Sequence, residues 1–458
     1  MQIEFAPDRG DHHETAVRFG EGAVTHEIYY RSGDIQLTPR CEAFAAPALI
    51  RCMRQGWNLE LDDPVSPRFA SGLESIQRIF RNWNPALHYI EIDHTLAAPS
   101  QTEAPGVGCF FTAGLDSFYT FLKHRDEITD LIFVHGFDIA LEEHALRDMV
   151  SRRLREIADA FGKRLIEVET NLRRSFLSPF TKWGLEAHGA ALASVAHQLS
   201  SRLRKTYIAS SCAYQDLFPW GTHPALDPHW STESLEFVHD GCEANRLIKA
   251  ELVSSSEVAL QHLRVCFENP GGHYNCGRCE KCIRTMIELS TVGALERCSA
   301  FAEPLANERV GKILGGDEHH RAFYVANLHA LERYGGDPGL IDALNTILER
   351  PRWKERLLVW VDRRKRRLAK RFGPGRLRRR RRQRRLQRRG AAAHGDRIRE
   401  QVEIPLPDDH AGDDHRHRIA DREPQPTRLA GGSPRHRLVR GCERPARDDH
   451  VSQRHPHQ

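Results

Sequence analysis

Long apolar runs are missing from this 458-residue sequence: nowhere does it reach the ~18 consecutive apolar residues that a bilayer-spanning helix needs. A helical membrane protein is therefore not expected. The first residues, MQIEFAPDRGDHH, also lack a basic segment followed by an apolar one, so no export leader is read and the expected compartment is the cytoplasm. With no such leader, the 11 cysteines are expected to stay reduced and not to form a disulfide framework.

After Pro374 the scarcity takes another form, because the chain from Gly375 to Gln458 contains no Phe, Trp, Tyr, Lys, Asn or Met. Its 22 Arg against 12 Asp and Glu give it +10, and since the whole chain carries +5, residues 1–374 carry about −5. A stretch with that much charge and no aromatics cannot bury enough apolar surface to offset chain entropy, so disorder is expected. Two readings of it stay open: an ordinary basic tail, or a GC-rich gene read out of frame, since the absent residue types have AT-rich codons. A nucleic-acid arm ranks behind both, because basic runs match by composition alone. The acidic body itself argues against nucleic acid as a partner, and nothing in it asks for a membrane.

Residues 1–100 mix extended pieces (IEFA, THEIYY, WNLELD, HYIEID) with the helical stretch SGLESIQRIFRNW, which predicts an N-terminal α+β domain. The Pro/Ser/Thr-rich AAPSQTEAPG then reads as a linker. From 106 to 260, strand-like VGCFF, DLIFVHGF, RLIEVET and KTYIASS alternate with amphipathic helices, the pattern of a doubly wound parallel α/β sheet. Residues 261–300 hold a cysteine cluster, and 301–374 read as a helical region before the tail at 375–458.

In such sheets ligands sit outside the carboxyl ends of the strands. There, GCFFTAGLDSFYTFL places Thr112, Ala113, Gly114 and Leu115 in a tight turn after the first strand of the sheet. Small residues let successive N–H groups face an anion, and the helix starting near Asp116 adds its positive end. Ser117 offers a hydroxyl and Asp116 a carboxylate that could hold Mg2+ bridging phosphates. The same Asp-Ser pair is also ordinary helix capping. Ala113 suits this turn only if its φ is negative.

Further on, Cys266, Cys276, Cys279 and Cys282 follow a C-x9-C-x2-C-x2-C spacing. CxxC turns bring two thiolates to one ion and four sulfurs complete the tetrahedral shell of structural Zn2+, with an iron–sulfur cluster as the rival. The polar loop SSCAYQDLFPWGTHPALDPHWSTE, with Asp216, His223, Asp227 and Glu233, lies at a strand's carboxyl end and is read as the substrate-recognition loop.

The stretch TAGLDS resembles the SGGxDS loop of the PP-loop ATP pyrophosphatases, with Thr112 for Ser and Ala113 for Gly. The turn followed by the four-cysteine knuckle resembles the 7-cyano-7-deazaguanine synthase branch of that superfamily, over about residues 106–290. The resemblance implies an ATP-binding domain and a zinc knuckle. NRLIKAELV, similar to that branch's KAEI segment, would put Lys249 on the phosphates, and Arg284 matches a basic residue just past the last ligand. HGFD, with His135 and Asp138, falls where the family contacts adenine or ribose, although a strand-end His is more often a packing residue. Asn171 and Arg173 follow the third strand. The branch's SGYPDC-like segment is absent, so its substrate is not expected here.

What the resemblance implies is an ATP-dependent ligase that adenylates a small-molecule carboxylate or amide, releases pyrophosphate and passes the group to a nitrogen nucleophile, ammonia or an amine. Asp116, Ser117 and Lys249 would serve the chemistry through positioning and charge. A thiolating enzyme of the tRNA-modifying type is the alternative and would need a reactive cysteine, for which Cys212 is the best placed. A non-catalytic zinc protein that binds nucleotide or nucleic acid is the other. A homodimer is left open.

Overall fold

A computed structural model describes residues 1–5, 13–21, 24–98, 104–314, 318–361 and 364–365. Residues 1–374 form one compact unit. The tail from Gly375, and the middle of the AAPSQTEAPG linker, lie outside the described residues.

Strands β1 (Gln2–Phe5), β2 (Glu14–Glu21) and β3 (Val24–Ser32) form an antiparallel meander, and α1 (Cys41–Gln55), the two-residue β4 (Leu59–Glu60), α2 (Pro67–Trp83) and the two-residue β5 (Ile92–Asp93) follow. Ser66 caps α2 by accepting from the N–H of Phe69, with Pro67 at the first helical position. Helix α1 was not apparent in the sequence. Its apolar positions run all the way round, which blurs the 3.6-residue period, and all of Cys41–Met53 is buried.

The second segment is β6 (Gly106–Phe110), α3 (Leu115–Lys123), β7 (Asp130–His135), α4 (His144–Phe161), β8 (Arg164–Thr170), α5 (His188–Gln198), β9 (Leu203–Ala209) and β10 (Glu236–Asp240). These five strands are parallel in the spatial order β10-β9-β6-β7-β8. Successive strands move one way from β6 and the other way from β9, so the order reverses between β6 and β9. A crevice opens at such a switch point, outside the carboxyl ends of the strands.

Strand residues alternate between two cores. Phe110, Ile132, Val134 and Ile166 pack under α1, α2 and α5, whereas Cys109, Leu131 and Phe133 pack under α3 and α4. The architecture is α/β, with helices on both faces of a mostly parallel central sheet. Residues 1–100 extend it: β3 pairs antiparallel with β8 through Tyr30 and Thr170, making one ten-stranded sheet.

Helices α6 (Arg246–Ser254), α7 (Glu257–His262) and α8 (Glu280–Thr291) complete this layer. Then α9 (Asn307–Val310), α10 (Glu318–Tyr334) and α11 (Pro338–Leu348) pack with α8 around Ile287, Tyr324, Leu331 and Leu344. Among the described residues, no helix is long and apolar enough to cross a membrane.

Candidate functional site

The turn after β6 lies at the switch point, and its backbone departs from expectation. Ala113 has φ +57°, in the left-handed region, and is fully buried. A Cβ there costs about 1–2 kcal/mol. Tertiary contacts hold the strain: the Ala113 carbonyl accepts from the N–H of Arg264 at 2.8 Å, and the N–H of Phe111 donates to Ile132 at 2.8 Å. Gly114 is the N-cap of α3, whose first N–H groups have no carbonyl further up the helix. Ser117 is tied down locally, donating from Oγ to the Gly114 carbonyl at 3.0 Å.

Asp116 is enclosed by cations. Arg246 donates from Nη1 to its Oδ2 at 2.8 Å, and Lys249 Nζ stands 3.5 Å from Oδ1. Burial alone would raise its carboxyl, but Arg246, then Lys249, Arg284 and Lys281, hold it below the usual carboxylate range. Arg246 is itself clamped by Glu288, Nε to Oε1 at 2.8 Å and Nη2 to Oε2 at 3.0 Å. The half-buried Asp116 and the buried Arg246 and Glu288 thus make a charged triad running from the turn into α8. Arg246 occupies one oxygen of the carboxylate expected to hold magnesium, while its Oδ1 has no hydrogen-bond partner and Asp116 lines the cavity at this crevice. Lys249, expected on the phosphates, is fully buried one layer down, donating to the Ser210 carbonyl at 2.6 Å.

A cavity of about 260 Å³ opens at this crevice. Thr112, Gly114, Leu115, Asp116 and Ser117 line it with Arg246, Arg264, Lys281 and Arg284. The rest of the lining includes the aromatic Phe110, Phe137 and Trp183, with Asp138 and His188. Arg173 stacks over Trp183 at 4.3 Å and donates to the Phe137 carbonyl. Burial drives the His188 imidazole down to about 4, so it is neutral at pH 7.

The cysteine cluster forms part of the same wall, since Cys266 and Phe267 also line the cavity. All four sulfurs lie within 4.8 Å of one another, with Cys276 to Cys282 at 3.8 Å and Cys266 to Cys279 at 3.9 Å. Disulfide sulfurs lie at about 2.05 Å, whereas Zn–S bonds of about 2.3 Å in a tetrahedron put sulfurs about 3.8 Å apart. The set has the spacing for one tetrahedral ion.

No family model, no curated protein and no solved structure matches the chain.

Other expected site residues are placed elsewhere. His135 sits at the end of β7 but turns to the α4 side, where its Nε2 meets Glu167 at 2.9 Å and its Nδ1 accepts from Arg147 at 3.2 Å. Asn171 splices β8 to β3, accepting from the N–H of Tyr29 at 3.1 Å. In the polar loop, Asp216 borders a second cavity beside Asn245 and Phe323. His223 packs edge-on against Trp83, Asp227 is fully buried against His239 at 2.7 Å, and Glu233 caps α2 by accepting from the N–H of Arg68 at 2.9 Å. None of these four lines the first cavity.

The loop serves that cavity by packing instead. A Cβ on Gly189 would fall 2.1 Å from the Gly221 carbonyl, so loop and α5 dock backbone to backbone, and Trp220 lies against Gly184 and His188. Residues the sequence reading missed are Arg246, Arg264, Lys281, Trp183 and His188. Arg246 lies three before Lys249 on one helix face, a legible signal; the others depend on which loops converge.

Proposed function

We propose that the chain is an ATP-dependent adenylating ligase of the PP-loop ATP pyrophosphatase type, with a zinc-held knuckle. One observation carries the reading: the small-residue turn at the switch point, the start of α3, four basic side chains and the aromatic Phe110, Phe137 and Trp183 all border one cavity. Such a cavity suits a ligand with a polyanionic end and a flat end. The anionic oxygens would face the N–H groups of Thr112 to Asp116 with Arg264, Lys281 and Arg284, and the base would lie toward Phe137 and Trp183.

In this reading a substrate carboxylate or amide oxygen attacks the α-phosphorus of ATP, pyrophosphate leaves toward the turn, and a nitrogen nucleophile then displaces AMP. Arg264, Lys281 and Arg284 would offset the charge developing on the leaving group, while Asp116 and Lys249 position Arg246 and the β9 end. Zinc, held by the four thiolates, would lock the start of α8, which carries Lys281 and Arg284.

A non-catalytic nucleotide binder is the second reading, favoured by the Arg246 hydrogen bond that already occupies Asp116 Oδ2. Calorimetry of the full chain with ATP, in Mg2+ and in EDTA, tests the pocket: micromolar binding weakened at least about tenfold by Arg284→Ala is expected, and no binding heat would sink both readings. Pyrophosphate release across a panel of small carboxylates and amides with ammonia separates them, since a binder releases none.

A further inference from the structure

Past α11 the chain carries a surface that neither the cavity nor the knuckle uses. Residues 352–361 form a helix. Its inner side is fixed to the body: the buried Glu355 accepts from Arg350 Nη1 at 2.8 Å, and Arg350 donates in turn to the Gly311 and Ile313 carbonyls at 2.6 Å each. The half-buried Val359 lies one turn further along the same side.

The outer side is apolar. Trp353, Leu357 and Trp360 follow the i, i+4, i+7 spacing of one helix face, and that face is turned away from Glu355. They are 69%, 51% and 55% exposed. Four of the 13 large apolar side chains exposed among the described residues, these three and Leu358, fall on this short helix, so they make a patch and not the usual scatter.

Basic residues border the patch. Arg352 and Arg356 run along one edge and Lys354 along the other, all exposed, while Arg364 reaches back over the Trp360 ring at 5.1 Å. Residues 352–374 hold ten Arg and Lys against two acidic residues, one of which is the Glu355 already paired with Arg350. The expectation that no membrane is involved rested on the charge of about −5 over residues 1–374, an average that hides this concentration.

We propose that the outer face of this helix docks on an anionic lipid bilayer, with Trp353, Leu357 and Trp360 seated among the headgroups and the flanking Arg and Lys on the lipid phosphates and carboxylates. Tryptophan suits that depth, since its ring is apolar and its N–H polar. Other occupants fit the face less well. A second copy would bring like-charged edges together, and the chain's own tail from Gly375 carries +10 and no aromatics, so the same edges repel it. Nucleic acid would satisfy the edges and leave Leu357 without a partner.

The cavity takes no part, so the test is independent of the ligase reading. Full chain is mixed with vesicles of phosphatidylcholine, alone or with phosphatidylserine, and bound protein is measured by flotation. Binding to the anionic vesicles only, weakening as salt rises, is expected. The Arg-rich tail alone would give that much, so the deciding variant keeps every charge. Trp353→Ser combined with Leu357→Ser and Trp360→Ser should bind at least about tenfold more weakly. Trp353→Phe combined with Trp360→Phe should stay bound and lose the fluorescence quenching that brominated lipid produces in the wild type, a readout that stands even if the serine variant folds poorly. Unchanged binding of the serine variant, equal binding to neutral vesicles, or quenching that persists in the phenylalanine variant overturns the proposal. A serine variant that loses self-association, or binding to single-stranded DNA, while its vesicle binding is unchanged would give the face to that partner instead.

Discussion

The basic and the aromatic parts of the cavity lining are built in different ways. Arg264, Lys281 and Arg284 come from the segment that carries the four clustered cysteines, whereas Phe137, Trp183 and His188 come from loops and the start of α5, held by packing and backbone docking. Charge brought together in the first part needs an anchor stronger than the repulsion it creates. Flat apolar side chains need only close packing. The contrast predicts that each part can be disabled without the other.

The sharpest break is metal removal. Chelation, or Cys282→Ser, should release the basic wall and abolish ATP binding, at a cost on the order of 10 kcal/mol of metal-linked stability, while near-ultraviolet signals of Trp183 and Trp220 persist. Loss of both parts together, seen as collapse of those signals, would contradict the division.

Arg246→Met should come next. It strands Glu288 as a buried carboxylate, takes the Oδ2 partner from Asp116, and should destabilise the chain by about 3–5 kcal/mol in denaturant titration. Burial already pushes the Glu288 carboxyl up. Without Arg246 it should take a proton, so the loss should shrink as pH falls; a loss independent of pH would remove the charged triad from the account.

Trp183→Ala sharpens the comparison from the other side. It should weaken nucleotide binding by about 1–3 kcal/mol through lost stacking and leave the salt dependence unchanged. A flattened salt dependence would mean that the aromatic part also handles charge.

The smallest effect belongs to Ala113→Gly. Relief of left-handed strain worth about 1–2 kcal/mol outweighs the roughly 0.4–1 kcal/mol that glycine adds to unfolded-chain entropy. A net gain of about 0.5–1 kcal/mol in thermal or chemical unfolding is expected, and a loss would show that the strain is absent in solution.

Much of this site was legible because its signals are local. Strand and helix periods located β6, β7, β8 and β9, and CxxC spacing located the four-cysteine cluster. The turn at Thr112 to Ser117 was placed correctly, but not the sign of φ at Ala113, which the Arg264 N–H settles from 151 residues away. Side-chain direction was the other gap. His135 and Val134 are neighbours on β7, yet one faces α4 and the other the opposite core. Asp227 and Glu233 read as recognition residues because they are polar in a loop, while their partners, His239 and the α2 cap, become visible only after folding.

The join between β3 and β8 bears on how the chain is made. Tyr29 and Glu169, which meet there, are 140 residues apart. At about 5–20 residues per second, β3 leaves the ribosome roughly seven to thirty seconds before β8 exists. For that interval the early meander has a bare edge, open to any extended strand it encounters. The part of the molecule synthesised first is thus among the last to be completed, and its protection during that wait falls to chaperones or to the speed of translation.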